Sequence, residues 1–180
     1  MKTKDLTEVA VLIAVAVVLE VVFTGMSAFF PFLMMPYGGR ISLSMLPLII
    51  ITYRHGYAKG ILGGVIYSLF NLLLDGVLWH WASFFLDYVV AFGVIGLGYV
   101  GIQLFGKNKK GFIALTIIGI ALRFVSSWLS GWIIFAEYMP EDFNSPYLYS
   151  LVYNGYYLIP SMILILVVGL GLFKTIIEFE

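Results

Sequence analysis

No cysteine occurs in the chain, which excludes disulfides and thiolate-bound metals from its fold and chemistry. Its two histidines, His55 and His80, are too few and too far apart to build a metal cluster. Charge is scarce: 11% of residues are charged, against about a quarter in an ordinary soluble domain. Ten basic and ten acidic residues cancel to a formal net charge of zero, so no basic excess is available for nucleic acid. No phosphate loop of the G-x-x-x-x-G-K-[ST] type is present, and "GKNKKG" (106–111) lacks that pattern, so the chain does not hydrolyse ATP itself. A paired-carboxylate motif such as D-D-x-x-D is also missing.

Apolar residues fill the space that these absences leave. They make up 62% of the chain, and the mean hydropathy is +1.02. Long apolar blocks recur from end to end, which predicts one all-α integral membrane domain over residues 1–180. Polar punctuation divides the chain into six expected spans, at 6–24, 41–53, 58–75, 82–105, 111–135 and 147–173. The opening "MKTKDLTEVAVLIAVAVVLEVVF" has the basic start and apolar core of a signal peptide. Glu20 interrupts that core, so the segment is read as the first membrane helix. The span 41–53 is too short for an apolar layer of about 30 Å, and "FFPFLMMPYGG" (29–39) is expected to complete the crossing as a partly inserted loop.

Basic residues set the expected orientation. Lys2, Lys4, Arg54, Lys59, Lys107, Lys109, Lys110 and Lys174 all fall on one side of a six-span topology, which is then the cytoplasm, with both termini inside. The opposite loops hold Arg40 and the acidic "EYMPEDF" (137–143).

Polar residues within the spans gather toward the external half. Tyr67, Ser68, Asn71 and Asp75 follow one another on the third span, and His80, Ser83 and Asp87 on the fourth, with Tyr88 beside them. Arg123, Ser127, Gly131 and Phe135 stand at i, i+4 intervals on the fifth, flanked by Ser126 and Ser130. The sixth carries Tyr149, Tyr153, Asn154 and Tyr157. Such spacing puts side chains on one helix face. A single serine or tyrosine in a membrane helix usually bonds its own backbone, but a network of that kind has no reason to favour one leaflet. A pocket open to the exterior does. Asp87 would otherwise cost roughly 3 kcal/mol at the bilayer centre.

The aromatic residues Trp79, Trp81, Tyr88, Trp128, Trp132, Phe135, Tyr149 and Tyr153 are within reach of these positions, with Trp79 and Trp81 read first as interfacial-belt residues, and a carboxylate among aromatic faces suits a flat, cationic heterocycle. Asn154 and Tyr149 supply directional hydrogen bonds. Arg123 is expected to neutralise Asp87 or Glu137. The cytoplasmic halves carry no ionisable relay, so release inward calls for a partner. Ala10 and Ala14 place two small residues on one face of the first helix, where another helix can dock. Gly60 and Gly64 share that spacing but are read as internal packing. Two other classes stay open: a membrane lipid enzyme with Asp87 and His80 as acid and base, and a structural scaffold.

Four stretches carry a family resemblance: "PYGGRISLSMLPLIIITYRHG", "FLDYVVAFGVIG", "LRFVSSWLSG" and "YSLVYNGYYLIPS". In their order and spacing the chain resembles the substrate-binding (S) component of energy-coupling factor (ECF) vitamin transporters, within the thiamin-specific group. The resemblance implies a six-helix bundle in the prokaryotic plasma membrane, not an enzyme, that binds thiamin outside and uses no cofactor of its own. It also implies a transmembrane coupling subunit and two ATPase subunits as partners. By the same resemblance, Asp87 and Tyr88 contact thiamin, Tyr149 and Asn154 hold its aminopyrimidine, and Phe135 stacks on that ring. Arg123 falls at a basic position of the family, and Ala10 and Ala14 match its docking motif. His80 joins the ligand-binding candidates from its spacing to Asp87. Ser127 stands where many members have a ligand-contacting histidine, and Asp87 is a methylene shorter than the glutamate of some. Another small heterocyclic vitamin, or a thiamin precursor, is the alternative ligand.

Overall fold

The structure, a computed structural model, describes residues 3–35, 39–75, 80–141 and 143–177. Lys2, Trp79, Asp142 and residues 36–38 of the 29–39 stretch lie outside the described residues, as does the side chain of Asp75. The described chain is helical: α1 (Thr3–Ser27), α2 (Met45–His55), α3 (Tyr57–Asp75), α4 (Trp81–Phe105), α5 (Lys109–Ile133) and α6 (Pro146–Gly171). Among the described residues, five of these are long and apolar enough to cross a bilayer, and α2 is not. Its eleven residues rise only about 16 Å, half of an apolar layer.

Burial explains how so short a helix persists. Every residue from Met45 to Tyr53 is buried, so α2 sits inside the bundle and needs no lipid-facing side. Ahead of it the described residues form a 3-10 turn (Pro31–Leu33) and an antiparallel bridge between Met34 and Arg40. Gly56 and Gly106, with φ of +82° and +81°, make the reversals after α2 and α4. Asn108 then starts α5 by accepting the Lys110 and Gly111 amides at 2.8 and 3.2 Å.

The two ends of the bundle differ in kind. At the end holding Arg54, Lys59 and Lys107, ion pairs tie the start of α1 to the α2–α3 reversal: Glu8 to Arg54 (2.7 Å) and Asp5 to Lys59 (2.6 Å). Behind them Tyr53, Phe112 and Phe173 meet edge to face, at ring centroid separations of 5.7 to 6.0 Å, and fill the core. Thr52 and Thr116, buried in this half, each donate to their own helix's backbone at 2.9 Å. The other end buries a larger set of polar side chains, from Glu20 and Arg40 to Ser130 and Asn154.

Glycine lets α3 and α4 pack closely. A methyl group at Gly64 would run into the Phe92 carbonyl, and one at Gly96 into the Ile61 backbone. Gly60, likewise, abuts Thr52 and Gly96, so the glycine spacing serves internal packing. The first helix is packed differently: Leu6, Val11, Val15 and Val18 are each more than 40% exposed, and Ala10 and Ala14 lie on the same uncovered surface.

Candidate functional site

One turn of α5 organises the polar end. Ser130 Oγ donates to Asp87 Oδ2 of α4 at 2.6 Å, and Ser126 Oγ donates to the Leu86 carbonyl at 2.6 Å. From α6, Asn154 Nδ2 donates to the Ser127 carbonyl at 3.3 Å and to Ser150, while Ser150 Oγ donates to the Trp128 carbonyl at 2.8 Å. Asp87 and Asn154 therefore reach the same turn, residues 127–130, from opposite neighbours. Gly131 permits this approach, since a methyl there would collide with Ser150.

Asp87 stands in a stretch of α4 that is not a regular α-helix. Residues Phe84–Val90 form a π-helix, and Val94–Tyr99 a 3-10 helix. Short π segments recur at functional sites because the extra residue per turn re-aims side chains. Ser83 Oγ also donates to Asp87 Oδ2, at 2.6 Å. Tyr88 is half-buried beside it.

On α6 the tyrosines form a ladder, Tyr149 to Tyr153 to Tyr157, with centroids 5.9 and 6.1 Å apart. Tyr149 also meets Phe143 at 5.0 Å. The Tyr157 hydroxyl donates to Asn154 Oδ1 at 2.9 Å, and the Gly39 amide donates to the Tyr153 hydroxyl at 3.2 Å, which brings Gly39 onto the ladder. Phe135 is half-buried just past the end of α5.

Other expected members stand elsewhere. His80 is exposed, and its Nδ1 accepts the Ala82 amide, so it caps α4 rather than joining the cluster. Trp81, read as an interfacial-belt residue rather than a pocket member, is 72% exposed. Trp128 and Trp132 stack on each other at 5.7 Å and pack against Tyr147 along the α5–α6 edge. Arg123, expected to neutralise Asp87 or Glu137, makes no direct ion pair with either among the described residues. Its guanidinium covers the Phe92 ring at 3.8 Å, and its Nε has no hydrogen-bond partner among the described residues. A cation over an aromatic face keeps part of the stabilisation that a carboxylate would provide. Arg123 still acts electrostatically on Asp87.

Sequence reasoning missed a second polar centre. Arg40 Nη1 pairs with Glu20 Oε1 at 3.0 Å, with both side chains less than 10% exposed, and also donates to Thr24 Oγ1. Ser42 Oγ and the Tyr67 hydroxyl donate to Glu20 Oε2 at 3.2 and 3.1 Å. Tyr67 packs edge-on against Phe92, the ring under Arg123, which links this centre to the first. The signal was available: Glu20 is an acid in an apolar run, Arg40 is the basic residue of the opposite loops, and intramembrane charges pair.

The family model described as thiamine transporter protein (Thia_YuaJ) matches residues 6–179. The chain belongs to this family. Thiamine transporter ThiT of Bacillus subtilis (strain 168) is 32% identical to it, with 94% of this chain and 90% of that protein covered. A solved structure of ThiT from Listeria monocytogenes superposes with a TM-score of 0.77 over 95% of this chain and 93% of that one, at 22% identity, and so shares the fold. Membership in the thiamine transporter family sets the chain among transporters rather than enzymes, as a multi-pass protein of the bacterial plasma membrane.

Proposed function

We propose that this chain is the thiamin-binding S component of an ECF transporter, working as one membrane domain over residues 1–180. The observation that carries the reading is the convergence of Asp87 and Asn154 on one turn of α5, in a chain of this family. Asp87 offers negative charge to the thiazolium. Asn154 Oδ1 keeps a lone pair beyond the one taken by Tyr157, and can accept a hydrogen bond from the aminopyrimidine. Tyr149 and Phe135 supply aromatic faces, Tyr88 a hydroxyl, Ser127 and Arg123 the deeper wall. His80 is left out of this set.

The lysine-bearing end faces the cytoplasm, which puts the polar end outside and both termini inside. The aromatic plug of Tyr53, Phe112 and Phe173 closes the route inward, so release requires the chain to reorient on a partner. Ala10 and Ala14, uncovered on α1, are the docking contacts for a transmembrane coupling subunit that two ATPase subunits drive.

Tryptophan fluorescence of the detergent-purified protein, titrated with thiamin, tests the reading. Saturable quenching that Asp87→Ala and Asn154→Ala each weaken by at least tenfold supports it. A response to another vitamin alone moves the ligand to that compound, and no response to any small heterocycle sinks the transporter assignment.

A further inference from the structure

The serines and threonines of this protein divide by where their hydroxyls go. Ser68, Thr52, Thr116 and Ser161 each donate to a backbone carbonyl of their own helix, three or four residues back. That is the ordinary fate of a hydroxyl in a membrane helix. Ser83, Ser126 and Ser130 do otherwise. Ser83 and Ser130 both donate to Asp87 Oδ2, and Ser126 crosses from α5 to the Leu86 carbonyl. All three are buried, and all three act on the same π-helical stretch of α4, Phe84–Val90.

A π-turn needs such support. Its one extra residue rotates the flanking helix segments by about 100° relative to a regular α-helix and weakens the backbone ladder. Ser126 and Ser130 are four apart on α5, on one face, and grip consecutive residues of the turn, Leu86 by its carbonyl and Asp87 by its side chain. The two bonds to Asp87 fall on the same oxygen. Oδ1 has no hydrogen-bond partner among the described residues, and it is not among their sealed polar atoms.

We infer that Ser83 and Ser130 are positioning residues that fix the Asp87 carboxylate with Oδ1 presented to a cationic ring, and that Ser126 holds the π-turn carrying it. This rests on the reading of Asp87 as a ligand contact. Neither serine touches the ligand in this arrangement; each acts by denying the carboxylate other rotamers. The shorter side chain of aspartate makes the restraint consequential, because it leaves only two torsions to immobilise.

The test compares two ligands: thiamin, and an uncharged isostere in which a thiophene replaces the thiazolium. Both are titrated against the wild type, Ser83→Ala, Ser130→Ala, Ser126→Ala, the Ser83→Ala/Ser130→Ala pair and Asp87→Ala. Hydrogen bonds to charged groups are strong enough that the pair is expected to lose about tenfold or more for thiamin. It is expected to keep the neutral isostere within about twofold, as is Asp87→Ala. Ser126→Ala is expected to lose thiamin selectivity in the same sense but by less. Equal weakening of both ligands would reduce the serines to packing and overturn the inference, as would unchanged thiamin binding in the pair. Should the pair not fold, the two single variants decide by the same ratio. Unchanged binding in Asp87→Ala would instead sink the assignment of Asp87 itself.

Discussion

Replacing Arg40 with methionine would leave Glu20 as a carboxylate stranded between helices. Its Oε1 is 3.0 Å from the Arg40 guanidinium, and both side chains are less than 10% exposed. Ser42 and Tyr67 would still donate to Oε2, but nothing would neutralise the charge. Removing one partner of a buried ion pair costs about 3–5 kcal/mol, and the two surviving hydroxyl bonds favour the lower figure. A loss of about 3 kcal/mol corresponds to a fall in Tm of roughly 6–12 °C on the scaling for domains of this size. The double variant Glu20→Gln/Arg40→Met removes both charges and leaves a neutral amide for Ser42 and Tyr67. Replacing a buried pair by neutral groups is often close to costless, so most of the lost stability should return. Thermal unfolding in detergent micelles, followed by tryptophan fluorescence, reads both variants. A single variant within about 1 kcal/mol of wild type would refute the argument. So would a double variant as unstable as the single one, because the cost would then lie in lost packing of Arg40 rather than in uncompensated charge.

Gly64→Ala should lower stability by about 1–3 kcal/mol in the same assay, because its methyl meets the backbone carbonyl of Phe92 and can be accommodated only by separating α3 from α4. Ala14→Leu, on the uncovered face of α1, should leave Tm and thiamin titration unchanged while abolishing uptake in vesicles that also contain the coupling and ATPase subunits; intact uptake would remove Ala14 from the docking surface.

The two centres of the polar end were not equally visible in the chain. Asp87, Ser127, Tyr149 and Asn154 announce themselves by helical spacing, because residues four apart share a face whatever the helix packs against. Glu20 and Arg40 carry no such mark. They are joined only when the segment after α1 folds back through the Met34–Arg40 bridge, a path that no periodicity encodes. Arg123 shows how far charge pairing alone reaches. It pointed to Asp87 or Glu137, and Arg123 does act on Asp87 through its charge, but the group its guanidinium directly covers is the ring of Phe92.

Composition and spacing alone thus set the environment, the helical segments and the end of the bundle that is polar. These follow from how many apolar residues stand in a row and which positions recur each turn, both local properties. The π-turn that carries Asp87, the burial of the short α2 and the Glu20–Arg40 pair were decided only in three dimensions. Each depends on a hydroxyl, a ring or a guanidinium brought from a distant part of the chain, and the energy of that contact exists only once the helices have packed.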